Sequence, residues 1–355
     1  MVKDFYKHYY FGGSYREVGR QHGEALRESI QKHLELVFDL AAKKSNVQKS
    51  KALKIAGTFA PHISQYAPGF LEELNGLAEG AGITINEALL LQVRQEVVNL
   101  ARCGGDFECT SYAITPEYTA DGKMYVGQNA DLAGDFESFT NVVTFAVGQK
   151  PKIMMVVPAG QLSFNGISSE GIGVDANFLR CNGWKKGFPR YLITRLAAEQ
   201  PTFEAACAKI ESLEERASSR NILVSDYRGN IANYEITATD CARIKGDGFF
   251  VHSNHFVDQR MSSLYETNTM DEMQNSMQRK NRLGRLIEEN RGKIDVRMIK
   301  SFLRDHENGN NSICAHEYAR GVYHTFTSLI SNLTDLEITV AKGTPCKSEY
   351  ATYEF

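Results

Sequence analysis

The stretch CGGDFECTSYAITPEYTADGKMYVGQNAD, residues 103–131, decides the fold prediction for this chain of 355 residues. Asp121-Gly122 is a typical hairpin turn, and runs of β-branched and aromatic residues flank it on both sides. In an antiparallel hairpin the start of the first strand lies opposite the end of the second. Reflecting Cys109 about a turn centred near residue 120 or 121 reaches a position close to Asp131. The stretch therefore predicts a thiol and a carboxylate at one end of a hairpin.

The first hundred residues are predicted to be mostly helical, although the aromatic stretch 5–11 is interpreted as an N-terminal strand or core plug. The chain after the hairpin is predicted to contain strands and helices in separate blocks. Helical spacing of apolar residues covers 13–40 and 70–79, and a Thr84-Ile-Asn-Glu87 capping box opens a helix to about Arg102. The strands predicted after the turn are 123–129, 140–147, 152–157, 172–177, 221–226, 231–236, 249–253, 322–330 and 336–340, and the helices are 189–199, 202–215, 275–289 and 295–304. Neighbouring strand pairs with helices apart from them favour an α+β fold in which helices cover antiparallel sheets.

Composition excludes two classes of partner. The chain has 40 basic and 43 acidic side chains, a formal net charge of -3 and no long run of Lys or Arg, so we predict no nucleic-acid partner. The longest apolar stretch, 153–160, contains Pro158 and is far shorter than the roughly 18 to 20 residues that span a bilayer. No membrane segment is predicted. The first residues lack the apolar core of a secretory signal, which favours a cytoplasmic location.

The seven cysteines are widely spaced and include no Cys-x-x-Cys pair, so neither a disulfide framework nor a zinc site is predicted. A free cysteine is usually a small buried hydrophobic residue. Cys109 differs because it follows the Gly104-Gly105 loop and begins a strand. Cys103 is a rival nucleophile at the end of a helix, and His22 is interpreted as a packing residue.

Cys109-Thr-Ser111 followed by Gln128-Asn-Ala-Asp131 resembles the acyl-coenzyme A:6-aminopenicillanic acid acyltransferase family of N-terminal-nucleophile hydrolases. Further segments resemble the family in the same order, namely 13–23, 70–80, 94–96, 254–256 and 311–314. The resemblance implies one domain over residues 1–355, folded as an αββα four-layer sandwich with two antiparallel sheets.

The resemblance also implies that the chain cuts itself between Glu108 and Cys109. The products would be a mostly helical α-chain of residues 1–108 and a β-chain of residues 109–355. A new α-amine has a reference pKa of about 7.7 to 8.0, so near neutral pH part of it can accept the thiol proton. Cys109 would then be the nucleophile and carry its own base, with Asp131 orienting the thiol or the freed amine.

Two asparagines are implied as donors to the oxyanion of acyl transfer. Asn254, at the end of the strand 249–253, matches the family's oxyanion-stabilising asparagine. Asn177, at the end of the strand 172–177, resembles the second asparagine of the related choloylglycine hydrolases. The family often has a basic residue after the Ser-Ile-Cys segment, and this chain has Ala315 there, with His316 and Arg320 nearby.

The leading hypothesis is a self-processing cysteine hydrolase that opens linear amide C–N bonds, in an N-acyl amide or a small peptide, through a thioester on Cys109. No cofactor or metal is expected. Two alternatives stay open, an acyl-CoA-dependent N-acyltransferase with the same nucleophile and a non-catalytic binding relative. The sequence also leaves open whether the protein forms a homo-oligomer.

Overall fold

The structure is a computed structural model that describes residues 4–101, 108–133, 135–316 and 323–355. Within these residues the α-helices are α1 Tyr15–Ala25, α2 Arg27–Ser45, α3 Lys49–Gly57, α4 Ala60–Tyr66, α5 Pro68–Ala81, α6 Ile85–Ala101, α7 Arg190–Ala198, α8 Phe203–Glu211, α9 Gln259–Tyr265, α10 Met270–Glu289 and α11 Val296–Leu303. The strands are β1 His8–Gly13, β2 Glu108–Ile114, β3 Tyr125–Ala133, β4 Thr140–Val147, β5 Ile153–Pro158, β6 Asn165–Ser168, β7 Ile172–Asn177, β8 Arg220–Asp226, β9 Ile231–Ile236, β10 Cys241–Lys245, β11 Phe249–His252, β12 Tyr323–Asn332, β13 Glu337–Lys342 and β14 Tyr350–Glu354.

The described strands form two sheets. Sheet 1 has eight strands in the order β1-β4-β5-β6-β7-β8-β9-β10, and sheet 2 has six in the order β11-β2-β3-β12-β13-β14. All recorded pairings between these strands are antiparallel except that of β1 with β4 at the edge of sheet 1. No helix in the described part of the chain combines the length and the hydropathy needed to cross a bilayer.

Three hydrophobic cores show how the layers stack. Side chains alternate between the two faces of a strand, so each sheet can bury both faces. In β4, Val143 belongs to the core shared with α1 to α8, whereas Val142 belongs to a central core shared with sheet 2. In β12, Leu329 belongs to that central core, whereas Ile330 packs in a third core with residues of α10 and α11. Three cores between four layers make the αββα sandwich that the sequence predicts.

The β2–β3 hairpin lies within one residue of the predicted register. Cys109 pairs with Ala130 and Asp131 pairs with Glu108, so both predicted residues lie at the same end of the hairpin. The connection is longer than the predicted Asp121-Gly122 turn, because residues 115–124 join the strands, and Gly122 within it has a φ of +67°, in the left-handed region that favours glycine. The hairpin lies inside sheet 2, between β11 and β12.

Several elements differ from the prediction, whereas residues 8–13 form β1, in agreement with the interpretation of the aromatic stretch 5–11 as a strand. The strands β6 and β10 and the helix α9 are not predicted, and three strands rather than two end the chain, because β14 follows β13. The Thr84 capping box is confirmed, since the Thr84 N–H donates to the Glu87 carboxylate at 2.9 Å and the Glu87 N–H donates to Thr84 Oγ1 at 3.3 Å.

Candidate active site

Cys109 lies near the start of β2, is 6% exposed and lines a cavity. Burial raises the pKa of its thiol to about 12, and the Asp131 carboxylate adds to this rise. The backbone N–H of Asp131, which donates to the sulfur, and the charge of Arg279 oppose it. The residues lining the cavity are Cys109, Leu132, Phe164, Ala176, Phe178, Arg190, Tyr191 and Arg220. In the uncut chain the thiol is therefore protonated near neutral pH and needs a base before it can act as a nucleophile.

Asn254 contacts the backbone of Cys109. The Cys109 N–H donates to Asn254 Oδ1 at 2.8 Å, and Asn254 Nδ2 donates to the Phe178 carbonyl oxygen at 3.0 Å. The Asn254 N–H donates to Ser276 Oγ at 2.7 Å, so α10 fixes the loop that follows β11. Because an amide nitrogen carries two hydrogens, the bond to Phe178 uses one of the two Nδ2 hydrogens.

Arg279, which sequence reasoning missed, holds this arrangement in place. Its side chain is fully buried and donates to the Cys109 carbonyl oxygen at 2.6 Å, to Thr110 Oγ1 at 2.8 Å and to Asn254 Oδ1 at 2.8 Å. A signal exists in the sequence, because Arg279 shares a helical spacing of four with Leu283 and Ile287, and all three are buried. A charged residue on an otherwise apolar helix stripe indicates a buried charge that must be paired.

The Asp131 side chain is held from β12. Its Oδ1 accepts from Thr325 Oγ1 at 2.6 Å, and that hydroxyl accepts in turn from the Ala315 N–H at 3.0 Å. The register of β12 against β3 shifts between Thr325 and Thr327, which is a β-bulge. Bulges redirect side chains beside functional sites, and this one lies opposite Asp131.

Asn177 lies at the end of β7, across from β2. Its Oδ1 accepts from Ser111 Oγ at 2.6 Å and from Asn221 Nδ2 at 3.0 Å. Its own Nδ2 is buried and has no hydrogen-bond partner among the described residues. The structure thus places Asn177 beside the residue two positions after Cys109 on β2, whereas Asn254 contacts Cys109 itself.

Three buried arginines surround the ring of Tyr191. The guanidinium carbons of Arg94, Arg220 and Arg190 lie 4.3, 4.8 and 5.1 Å from the ring centroid, and each arginine is at most 3% exposed. Three cation–π contacts to one ring stabilise the cations but do not neutralise them. No local sequence pattern indicates this cluster, because its members come from α6, α7 and β8.

The side chains of these three arginines have few hydrogen-bond partners among the described residues. All three side-chain nitrogens of Arg94 are buried without a hydrogen-bond partner among the described residues. Arg220 Nη1 donates to the Arg190 carbonyl oxygen at 3.2 Å, and Arg190 Nη1 donates to the Ser219 carbonyl oxygen at 3.3 Å. Arg190 and Arg220 line the same cavity as Cys109. Two cationic side chains therefore line this cavity, and the buried Glu96 carboxylate accepts from the Arg190 backbone N–H at 3.3 Å.

Some predicted positions cannot be assessed. Cys103, the Gly104-Gly105 loop and Arg320 lie outside the described residues. His22 is fully buried and stacks on Phe11 with 5.4 Å between ring centroids, in agreement with its interpretation as a packing residue. Among the described side chains, the group that could hold a metal ion does not include Cys109 or the residues around it.

Comparisons with known proteins agree with this fold. The family model described as acyl-coenzyme A:6-aminopenicillanic acid acyl-transferase matches residues 118–347. A curated relative, the acyl-coenzyme A:6-aminopenicillanic-acid-acyltransferase 40 kDa form of Emericella nidulans, is 25% identical over 340 residues, which are 94% of this chain and 91% of that protein.

Two solved structures are also similar. Penicillin V acylase from Agrobacterium tumefaciens has a TM-score of 0.51 at 11% identity, over 70% of this chain and 86% of that chain, and so shares the fold. A conjugated bile acid hydrolase from Clostridium perfringens has a TM-score of 0.48 at 13% identity, over 70% of this chain and 97% of that chain. Since the family model matches well over half of the sequence, the chain belongs to the acyl-coenzyme A:6-aminopenicillanic acid acyl-transferase family.

Proposed function

We propose that the protein is a self-processing cysteine amidohydrolase that opens linear amide C–N bonds through a thioester on Cys109. The observation that carries this proposal is the contact of the Cys109 N–H with Asn254 Oδ1 at 2.8 Å, beside a thiol that lines a cavity. If the chain is cut before Cys109, the same nitrogen becomes an α-amine and Asn254 is already placed to orient it.

Self-cleavage needs no group beyond this chain and water. The Cys109 sulfur adds to the carbonyl carbon of Glu108, the thiol proton passes to the Cys109 nitrogen, and the bond from that carbon to the nitrogen breaks so that the nitrogen leaves as an amine. Asp131, whose charge acts on the thiol, is placed to carry that proton between them. Water then hydrolyses the thioester, which leaves a carboxylate on Glu108 and restores the thiol of Cys109.

Turnover repeats this chemistry on a substrate amide. The α-amine takes the thiol proton, the sulfur adds to the substrate carbonyl, and the leaving amine receives the proton when the C–N bond breaks. The tetrahedral intermediate carries an oxyanion, for which we propose Asn254 Nδ2 and Asn177 Nδ2 as donors. Arg279 acts as a positioning residue, because it fixes both the Asn254 oxygen and the Cys109 carbonyl.

The arginine cluster indicates the class of amide. A buried guanidinium that pairs with no anion costs several kcal/mol, and the side chains of Arg190 and Arg220 donate to carbonyl oxygens, which are uncharged. A substrate with a carboxylate close to its scissile amide, such as an N-acyl amino acid or a small peptide, would supply that anion to Arg190 and Arg220. A polyphosphate is larger than a carboxylate and would have more difficulty reaching these guanidinium groups, because the three arginines are at least 97% buried.

An acyl-CoA-dependent N-acyltransferase is the second candidate. It is favoured by the activity for which the family and the relative from Emericella nidulans are named. The two reactions share the thioester on Cys109 and differ only in whether water or an amine attacks it. The two functions are distinguished by incubating the protein with acyl-CoA and an amine. If the N-acyl product forms faster than the free acid, the protein is an acyltransferase.

Mass spectrometry of the purified protein tests the proposal. We expect wild type to yield fragments of residues 1–108 and 109–355, and Cys109→Ala to remain whole and inactive on a chromogenic N-acyl amide. Cys207→Ala removes another buried cysteine, in α8, and should be cut and active like wild type. A wild-type chain that stays whole yet hydrolyses the amide would contradict the N-terminal-amine mechanism. Full activity of Cys109→Ala would contradict the assignment of the nucleophile.

A further inference from the structure

Four metal-ligating side chains meet near the end of the described chain. The ring nitrogens of His306 and His316 and the sulfurs of Cys314 and Cys346 all lie within 4.8 Å of one another. Cys314 and His316 are buried, whereas His306 and Cys346 are exposed. The ligands come from the loop after α11, from the segment before β12 and from the loop between β13 and β14.

The two recorded distances between sulfur and nitrogen in this group are close to those of a tetrahedral zinc site, and the one between the two histidine nitrogens is shorter. Zn–S bonds of about 2.3 Å and Zn–N bonds of about 2.0 to 2.1 Å place two ligand atoms about 3.6 Å apart for S and N, and about 3.3 Å apart for two nitrogens. His316 Nε2 lies 3.8 Å from Cys314 Sγ and 3.4 Å from Cys346 Sγ. The Nε2 atoms of His306 and His316 lie 2.9 Å apart. A small opening of the two histidines would therefore complete the tetrahedron.

We propose that His306, Cys314, His316 and Cys346 bind one zinc ion in a structural site. Two thiolates and two imidazoles are a typical ligand set for zinc, and four protein ligands leave no open position for a substrate or a water molecule. Both sulfurs bind as thiolates, so binding releases their two protons to solvent. The spacing of these residues along the chain follows no Cys-x-x-Cys pattern, which explains why the sequence predicts no zinc site.

The site joins segments that support the candidate active site. Ala315, between two of the ligands, donates its N–H to Thr325, which holds the Asp131 carboxylate. Asn129 Nδ2, two residues before Asp131, donates to the carbonyl oxygens of Leu303 at 2.9 Å and Ile313 at 3.1 Å. A zinc ion would thus connect the segments that contain His306, Cys314 and His316 to the loop that contains Cys346.

Metal analysis of the full-length protein tests this proposal without any substrate, so its outcome is independent of the proposed function. Protein from zinc-supplemented medium, dialysed against metal-free buffer, should contain about one zinc ion per chain by inductively coupled plasma mass spectrometry. Cys346→Ser and His306→Asn should each lower the zinc content at least severalfold. Both ligands are exposed, so neither substitution is expected to prevent folding. Cys241→Ser, in β10 of the other sheet, should keep the wild-type content.

Zinc X-ray absorption of wild type should show two sulfur and two nitrogen ligands. The proposal is overturned if wild type contains no zinc and takes up none from a coloured zinc-chelator complex, or if Cys346→Ser and His306→Asn bind as much zinc as wild type. A wild-type mass lower by two hydrogens, with Cys314 joined to Cys346 in one peptide pair, would also overturn it, because a disulfide leaves no thiolate for the metal.

Discussion

Arg220 lines the cavity that contains Cys109, and its side chain is 3% exposed. Hydrogen bonds to charged groups contribute about 1.5 to 3 kcal/mol, so losing one to a substrate carboxylate weakens binding about 10- to 100-fold. We expect Arg220→Gln to raise KM by that factor for an N-acyl amino acid and to leave KM nearly unchanged for the corresponding uncharged primary amide. Steady-state kinetics on the matched pair of substrates measures both values.

The control for this variant is Arg243→Gln, which removes an exposed arginine of β10 paired with Glu211. It should leave both KM values as in wild type. If Arg220→Gln raises KM equally for the charged and the uncharged substrate, Arg220 shapes the cavity and does not recognise a carboxylate.

Among single residues, the sequence identified those whose position follows from a local pattern. Cys109 and Asp131 could be placed at the same end of one hairpin from its turn, and in the structure Asp131 pairs with Glu108, one residue from the Cys109–Ala130 pair. Arg220 could not be found in this way, because it reaches the cavity from β8 and no local spacing relates it to Cys109. Arg279 could be found only in part. Its spacing from Leu283 and Ile287 on α10 indicates that it is buried, but not that it contacts Asn254.

Helices α1 and α5 pack at unusually short distance. A Cβ atom at Gly19 would lie 1.9 Å from the Glu73 carbonyl oxygen, and one at Gly76 would lie 2.0 Å from the Arg16 carbonyl oxygen. Alanine stabilises a helix interior by about 1 kcal/mol relative to glycine, but overpacking a well-packed contact costs about 1 to 3 kcal/mol or more. We expect Gly19→Ala to lower the free energy of unfolding by about 2 kcal/mol, as measured by urea denaturation.

Gly284→Ala is the matched control in α10, because the nearest atom to its Cβ would be 3.8 Å away. It should raise the free energy of unfolding by up to about 1 kcal/mol. Equal stability of the two variants would show that α1 and α5 can separate without cost, and the close packing would then not support the helix layer.

Sequence patterns predicted the secondary structure elements that are long or bounded by clear turns. The strands β4, β7 and β9 have their predicted bounds, since glycine and polar residues flank them, with Gly148 after β4, Gly171 before β7 and Gly229-Asn230 before β9. The element β6 has only four residues, and α9 has seven, so neither presents enough turns or alternations to be distinguished from a loop. β14 lies at the edge of sheet 2 and pairs with one strand only. All of its residues are partly or fully exposed, so its sequence lacks the alternation of apolar and polar residues that predicts a strand.

The response of the whole molecule to pH includes a contribution from His22. Its ring is fully buried and Nε2 accepts from the Gly160 N–H at 3.0 Å. Burial lowers the pKa of His22 from its ordinary value of 6.5 to about 3, and the charge of Arg195 adds to this effect. Below pH 6.5 the unfolded chain therefore binds a proton at His22 that the folded chain does not bind. The stabilising contribution is complete above pH 6.5 and decreases as the pH falls towards 3.

We expect the difference in unfolding free energy between a chain with His22 and its His22→Gln variant to fall by about 1.4 kcal/mol per pH unit below pH 6.5. Both chains carry Cys109→Ala, so that each unfolds as one piece in urea between pH 4.5 and 7.5. Gln92→Leu removes an uncharged side chain that bonds the Gly160 carbonyl oxygen at 2.8 Å. Its cost should not vary with pH. A His22→Gln difference that is equally constant would mean that His22 has the same pKa in the folded and the unfolded chain, and the expected shift would be absent.

The placement of β1 and of helices α1 to α6 has a consequence for a chain that is cut before Cys109. These elements form one edge of sheet 1 and much of the layer that covers it, so packing alone would hold the two pieces together. The uncut chain folds as a single molecule, whereas two separated pieces must first meet, and their reassembly would slow with dilution and compete with aggregation. The lifetime of the cut protein would then be set by its rate of unfolding, because a molecule that unfolds and separates would rarely refold.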